Sequence, residues 1–297
     1  MSLLLCLIGN SLVLYGTIVH KAVQLDKLSV WIVQNLAVVD ICNGLLTLLP
    51  VIVTLYAREQ WVLGAGMCKA ASVYKFCFLV ANLILINALT INKLNRCCFP
   101  LRNLGSSGKD RAAVTMATII ISIVPAVSTI YFIDIAKVKY VYYIHDQCFC
   151  AANFKDSAEA RFRSAEMGIG FLLNVIPCVL LILTNCLLLL LAVLKTRRHI
   201  NKKNMAVVII VTLVFLVSIL PYFAYYVIFP VWDGTATPGL RTVTFISAAT
   251  MFANPIVYFA TNERFRQFTV TQFQGKLQDF KALSFRSTSA AAAKPTT

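Results

Sequence analysis

Charge is what this chain has least of. Only 13% of its 297 residues are charged, against 59% hydrophobic, where soluble domains carry about 25% charged and about 45–50% apolar residues. A soluble fold of this size lacks the polar cover for so much apolar surface. Soluble enzymes and wholly disordered chains are therefore excluded, and the protein is integral to a membrane. Histidine is scarce too: His20, His145 and His199 all fall in loops or at the ends of apolar runs. No metal or nucleophile constellation can be assembled from them, so no enzyme is expected. Transporter-like internal repeats are lacking. No Asn-x-Ser/Thr acceptor occurs. No basic segment precedes the first apolar run, so no cleavable signal peptide is expected.

Seven long apolar runs are present, at roughly 2–19, 29–56, 68–94, 112–133, 166–194, 205–230 and 241–260. Each is near the length of about 20 residues that a helix needs to cross a bilayer. The net charge of +15 is unevenly placed. Lys21 and Lys27 follow span one; Lys93, Arg96, Arg102, Lys109 and Arg111 follow span three; Lys195 to Lys203 and Arg264 to Lys294 follow spans five and seven. That side holds 18 of the 27 Lys and Arg residues, and only Asp26, Asp110, Glu263 and Asp279 as acids. The positive-inside rule makes it cytoplasmic, with the C-terminus inside and the N-terminus outside. The charge thus orients the chain and meets anionic lipid or a cytoplasmic partner; nucleic acid is not an expected partner.

Of ten cysteines, Cys6, Cys42, Cys77, Cys178 and Cys186 lie inside spans and read as small packing residues. Cys97 and Cys98 end span three, where palmitoylation is one reading. Cys68, Cys148 and Cys150 lie on the outer, oxidising side, where one disulfide would tie the loop after span four to the start of span three. Cys148 or Cys150 would be the partner. The Cys148-Phe149-Cys150 pair has no second ligand pair for a metal.

Asp40 lies in the middle of span two. An ionised aspartate at bilayer centre costs about 2.5–3.5 kcal/mol on insertion scales, so it must face a partner or a wet cavity. Asn10, Asn82 and Asn254 are candidate partners. A carboxylate ringed by amides suits a sodium ion, the one cofactor expected; a structural knot between helices is the plainer alternative. Lys75, near the outer third of span three, either snorkels or faces a ligand cavity. Pro177, Pro221 and Pro255 each remove a backbone bond from a span.

These features, in order, resemble the rhodopsin-like (class A) G-protein-coupled receptors over nearly the whole chain. The carriers are Gly9-Asn10, the Leu-Ala-x-x-Asp string ending at Asp40, and Trp61-Val62-Leu63-Gly64 followed by Cys68-Lys69. Phe215 stands six residues before Pro221-Tyr222, and Asn254-Pro255-Ile256-Val257-Tyr258 precedes Phe265 by seven. The resemblance implies an all-α seven-transmembrane bundle over residues 1–273, with a short amphipathic helix after span seven and a cytoplasmic disordered tail at 274–297. It implies Asn10, Asp40, Asn82, Asn254, Phe215, Pro221 and Tyr258 as ion pocket and activation switch. Asn92, Lys93, Leu94 and Arg96 would contact a heterotrimeric G protein.

Departures from the family pattern are informative. Counting from Cys68 and from Pro100-Leu101 puts the acidic-Arg-aromatic triplet of the family at Asn92-Lys93-Leu94. Lysine keeps the charge but loses the planar fork, and Asn92 cannot hold a cation as a carboxylate would, so the resting latch is expected to be weak. Ile219 replaces the usual tryptophan and Asn185 the usual tyrosine. These losses make a non-signalling receptor the third reading, below a transducing one.

No lysine lies between Lys203 and Lys276, which excludes retinal chemistry, and Lys75 stands where amine receptors carry aspartate. The 61–69 string, Leu220-Pro221-Tyr222 and Asn262 to Arg266 are similar to neuropeptide receptors of the galanin and allatostatin kind. Lys75, Tyr222, Tyr225 and Arg241 are the expected ligand contacts, for a peptide first and an anionic lipid or small acid second. Phe265, Phe268 and Phe273 with Arg264 and Arg266 suit a helix on the membrane surface. Ser284, Ser287, Thr288 and Ser289 are candidate phosphorylation sites for an arrestin-like partner.

Overall fold

A computed structural model describes residues 2–20, 26–58, 60–98, 108–130, 141–144, 149–152, 176, 178–191, 193–194, 202–228, 242, 246–272 and 274–275. Span one is α1 (Ser2–Ile18). Span two is α2 (Lys27–Asn43), which runs through a π turn (Gly44–Leu48) into α3 (Leu49–Tyr56). Span three is α4 (Gly64–Cys98) and span four α5 (Gly108–Ile130). Span five contains α6 (Cys178–Leu191). Span six is α7 (Lys202–Ile228), span seven contains α8 (Thr250–Thr261), and α9 follows at 263–272. The expected span boundaries hold to within a few residues wherever the chain is described.

Side-chain polarity runs inside out. On α5, Ile119, Ile120 and Ile123 face outward, and so do Leu180, Leu183 and Leu187 on α6. The interior holds Asn10, Asp40, Asn82, Asn87, Asn185 and Asn254. Only a hydrocarbon solvent rewards that arrangement, because backbone groups are satisfied within helices and polar side chains must find each other inside the bundle. Lys27–Tyr56 and Cys77–Arg96 are each long and apolar enough to cross a membrane, and Ser2–Ile18 and Ile209–Pro221 are shorter apolar helices. The main core joins spans two, three, five and six through Ile32, Leu36, Leu83, Ile182, Phe215 and Ile219.

Two local features go beyond the sequence expectations. The π turn ends just before Pro50. Pro50 has no N–H to donate to the carbonyl of Leu46, and its ring crowds that carbonyl, so the helix widens by one residue there. The long loop after span four carries an antiparallel hairpin, β1 (Val141–Ile144) and β2 (Phe149–Ala152), with Tyr143 opposite Cys150. β2 packs against α4.

The short helix expected after span seven is present as α9, and its aromatic face docks on the bundle. Asn262 turns extended (φ −108°, ψ 105°) and ends α8. Its Oδ1 then accepts the Phe265 N–H at 3.1 Å, starting α9. Phe265 is 2% exposed and sits with Val13, Val33, Val257 and Tyr258 under the bundle. Phe268 covers Gly16, where a Cβ would lie 2.9 Å from its ring. Arg264 and Arg266 point away from this contact and are exposed. Phe273 and the tail serines and threonine lie outside the described residues.

Candidate functional site

Asp40 is fully buried at the centre of the bundle. Asn82 of α4 donates to its Oδ1 at 3.1 Å, and Asn254 of α8 donates to its Oδ2 at 3.0 Å. The Cys6 thiol donates to the Asp40 backbone carbonyl at 3.2 Å. One carboxylate thus joins spans two, three and seven. Leaving either bond unmade would be costly, because both partners are out of water. The Asn82 Oδ1, Asn10 Oδ1 and Tyr258 hydroxyl are buried near this level and have no hydrogen-bond partner among the described residues.

Asn10 has a different role from the one expected. It does not reach Asp40; its amide donates to the Met251 carbonyl at 2.8 Å and to the Cys6 carbonyl at 2.9 Å. Met251 lies four residues before Pro255, which has no N–H to give it. Asn10 supplies the missing donor and holds α1 against α8. Gly9 lets the helices approach so closely: a Cβ there would lie 2.9 Å from the Pro255 Cβ.

Phe215 is buried in the main core and Pro221 lies inside α7. Tyr258 is 2% exposed between α1, α2 and α7. Between spans three and six, the hydroxyls of Thr90 and Thr212 meet at 3.3 Å, a contact that sequence reading did not anticipate. Leu94 packs against Leu188 and Ile209.

At the end of the bundle where α2 begins and α4 ends, the triplet is held firmly, against the expectation of a weak latch. Lys93 is 6% exposed, and its Nζ lies 2.7 Å from Asp26 Oδ1. Asp26 precedes the first turn of α2 and caps it: its carboxylate accepts the Ser29 N–H at 3.1 Å and the Ser29 hydroxyl at 2.8 Å. Asn92 donates to Asp26 Oδ2 at 2.8 Å and to Ser29 Oγ at 2.9 Å. Arg96, 41% exposed at its side chain, approaches Asp26 Oδ2 at 3.4 Å. Burial pushes the Asp26 carboxyl up, but the Lys93 ammonium, the Asn92 amide and the Ser29 N–H outweigh it and hold the group well below the usual carboxylate range. The missing acid of the triplet is therefore present in space, 67 residues away in the chain. Its signal in the sequence was the Asp26-x-x-Ser29 cap ahead of an apolar run, on a side with few acids.

Near the start of α4, Cys68 is disulfide-bonded. The expected partners, Cys148 and Cys150, lie outside the residues whose side chains are described. Trp61 Nε1 donates to the Gly64 carbonyl at 2.8 Å, and Gly64 takes φ +77°, the left-handed region that favours glycine. The side chains of Lys75, Tyr222, Tyr225 and Arg241 lie outside the described residues.

Comparison with known proteins agrees with this architecture. A family model described as "7 transmembrane receptor (rhodopsin family)" matches residues 9–258. The KiSS-1 receptor of Mus musculus is 34% identical over 102 residues, covering 34% of this chain and 25% of that receptor. The aligned part therefore spans about a quarter of that relative's length. Chemerin-like receptor 1 of Mus musculus is 25% identical over 292 residues, covering 90% of this chain and 75% of the relative. Squid rhodopsin shares the fold, with a TM-score of 0.69 at 16% identity over 93% of this chain and 83% of its own. With the family pattern running from span one to Tyr258, the chain belongs to the rhodopsin family of seven-transmembrane receptors, multi-pass proteins of the plasma membrane.

Proposed function

We propose that this chain is a receptor for an extracellular peptide and that, when occupied, it promotes nucleotide exchange on a heterotrimeric G protein. Its N-terminus lies outside and its C-terminus in the cytoplasm, following the distribution of basic residues. The observation that carries the reading is the buried polar column linking spans two, three and seven at Asp40 and spans two and three again at Asp26. Packed helices joined by a few buried polar bonds have discrete alternative arrangements, so a ligand that prefers one of them shifts the population. Output leaves at the cytoplasmic end, where Asn92, Lys93, Leu94 and Arg96 border the opening face. The relatives named for KiSS-1 and chemerin favour a peptide over a small acid. Lys75, Tyr222, Tyr225 and Arg241 are the ligand contacts of this reading. A phosphorylated tail would recruit an arrestin-like partner, and the exposed Arg264 and Arg266 face lipid headgroups.

Sodium fits the Asp40 cluster. The Asn82 and Asn254 amides donate to the carboxyl, and the Asn82 Oδ1 is buried with no donor among the described residues. Asp40 and Asn82 would hold the ion, which stabilises the resting arrangement by neutralising buried charge. The test is peptide-stimulated nucleotide exchange with purified receptor and G protein, with and without sodium. Peptide-dependent exchange supports the reading; exchange driven only by anionic lipid or small acids points to the alternative ligand class. Sodium sensitivity that persists unchanged in Asp40→Asn overturns the ion assignment.

A further inference from the structure

The triplet Asn92-Lys93-Leu94 carries a cation without an acid beside it in sequence. In the fold, one carboxylate from a different element satisfies it. Asp26 makes contacts with Lys93, Asn92, Ser29 and Arg96 at 2.7–3.4 Å, and its side chain is only 10% exposed. No other carboxylate contacts Lys93 among the described residues. We propose that the resting-state latch of this receptor has been transposed from span three to the first turn of span two, so that Asp26, through Lys93, sets the basal activity. Asp26 is a positioning residue, and the inference rests on the G-protein reading above.

Two physical consequences distinguish this arrangement from a carboxylate inside the triplet. First, the latch ties span three to span two and not to itself, so freeing Lys93 requires relative movement of two helices. Second, the same carboxylate caps α2 through the Ser29 N–H. Opening the latch and loosening the first turn of α2 are therefore coupled events. Asn92 supports both: its amide binds Asp26 Oδ2 and Ser29 Oγ, which keeps the carboxylate turned toward Lys93. An aspartate at position 92, as the family pattern has, would face Asp26 and repel it. The asparagine here is thus the residue that a transposed carboxylate requires.

The test separates the latch from the cap. Asparagine caps helices about as well as aspartate, so Asp26→Asn removes the charge and keeps the cap. Asp26→Asn/Asn92→Asp moves the charge back into the triplet. The full-length receptor and both variants are purified, and two quantities are read: the thermal unfolding midpoint without any partner, and basal nucleotide exchange on a panel of purified G proteins. Asp26→Asn is expected to lower the midpoint and to raise basal exchange about five-fold or more, the lower end of typical coupling between sites. The double variant is expected to recover most of both. Native-like behaviour of Asp26→Asn, or a double variant no closer to native than the single, overturns the proposal. A midpoint that falls and recovers, with no exchange from any variant, upholds the latch geometry while overturning its role in basal activity and the G-protein reading.

Discussion

Phe265→Ala measures how firmly the helix after span seven is built into the bundle. Phe265 is 2% exposed among Val13, Val33, Ala37, Val211, Val257 and Tyr258, contributed by spans one, two, six and seven. Truncating a phenylalanine so enclosed costs about 3–5 kcal/mol, the lost transfer energy plus the cavity left behind. Phe268 provides the internal comparison. It is half-buried, and its ring meets Tyr15 at 5.8 Å and His20 at 4.8 Å. Such aromatic contacts are worth about 0.5–1.5 kcal/mol beyond area, and a half-buried ring loses less area, so Phe268→Ala is expected to cost less than Phe265→Ala. The midpoint shift per kcal/mol falls as chain length rises and is roughly 1.6 °C at this size, so Phe265→Ala is expected to lower the midpoint by about 5 °C or more. The assay is thermal unfolding of purified receptor in one detergent, with Phe265→Leu as a volume-preserving control. A Phe265→Ala midpoint within about 2 °C of native, on the same scale, and equal to that of Phe268→Ala would refute the docked placement of Phe265.

Other perturbations follow from the same contacts. Asn10→Ala strips the Met251 carbonyl of its side-chain donor and leaves it buried beside Pro255; the expected loss is about 1–3 kcal/mol, read as a lower unfolding midpoint. Cys68→Ser should lower surface expression and thermal stability, since a native disulfide contributes about 2–4 kcal/mol, and only one of Cys148→Ser and Cys150→Ser should reproduce it. The depressed pKa of Asp26 means that its pairing stabilises the fold above the ordinary aspartate value of about 3.9 and that this contribution fades as pH falls below it. The midpoint gap between native receptor and Asp26→Asn should therefore be full at neutral pH and narrow in acid; a gap that widens in acid contradicts the pairing.

What the sequence disclosed, and what it hid, has a physical pattern. The spans were legible because a bilayer demands long apolar runs, and Asp40 was legible because a carboxylate there requires partners. Asn82 and Asn254 were the right amides. Asn10 was misassigned because its acceptor is a backbone carbonyl exposed by a proline four residues on, and carbonyls carry no letter in a sequence. The π turn before Pro50 went unseen because a bulge depends on how a helix relaxes around a missing N–H. Asp26 was counted among the few cytoplasmic acids, yet its pairing with Lys93 is a long-range contact that local motif reading, confined to the triplet, does not reach.

On the proposed reading, an extracellular peptide drives this receptor to activate a G protein. G-protein dissociation in cells expressing the native chain, challenged with a pooled neuropeptide library and with surface receptor quantified in parallel, tests it directly. A peptide-dependent response is expected from the native chain, because Asp26 supplies Lys93 with the counterion that its triplet lacks. Silence from both the native chain and Lys93→Arg, with receptor present at the surface, would contradict it.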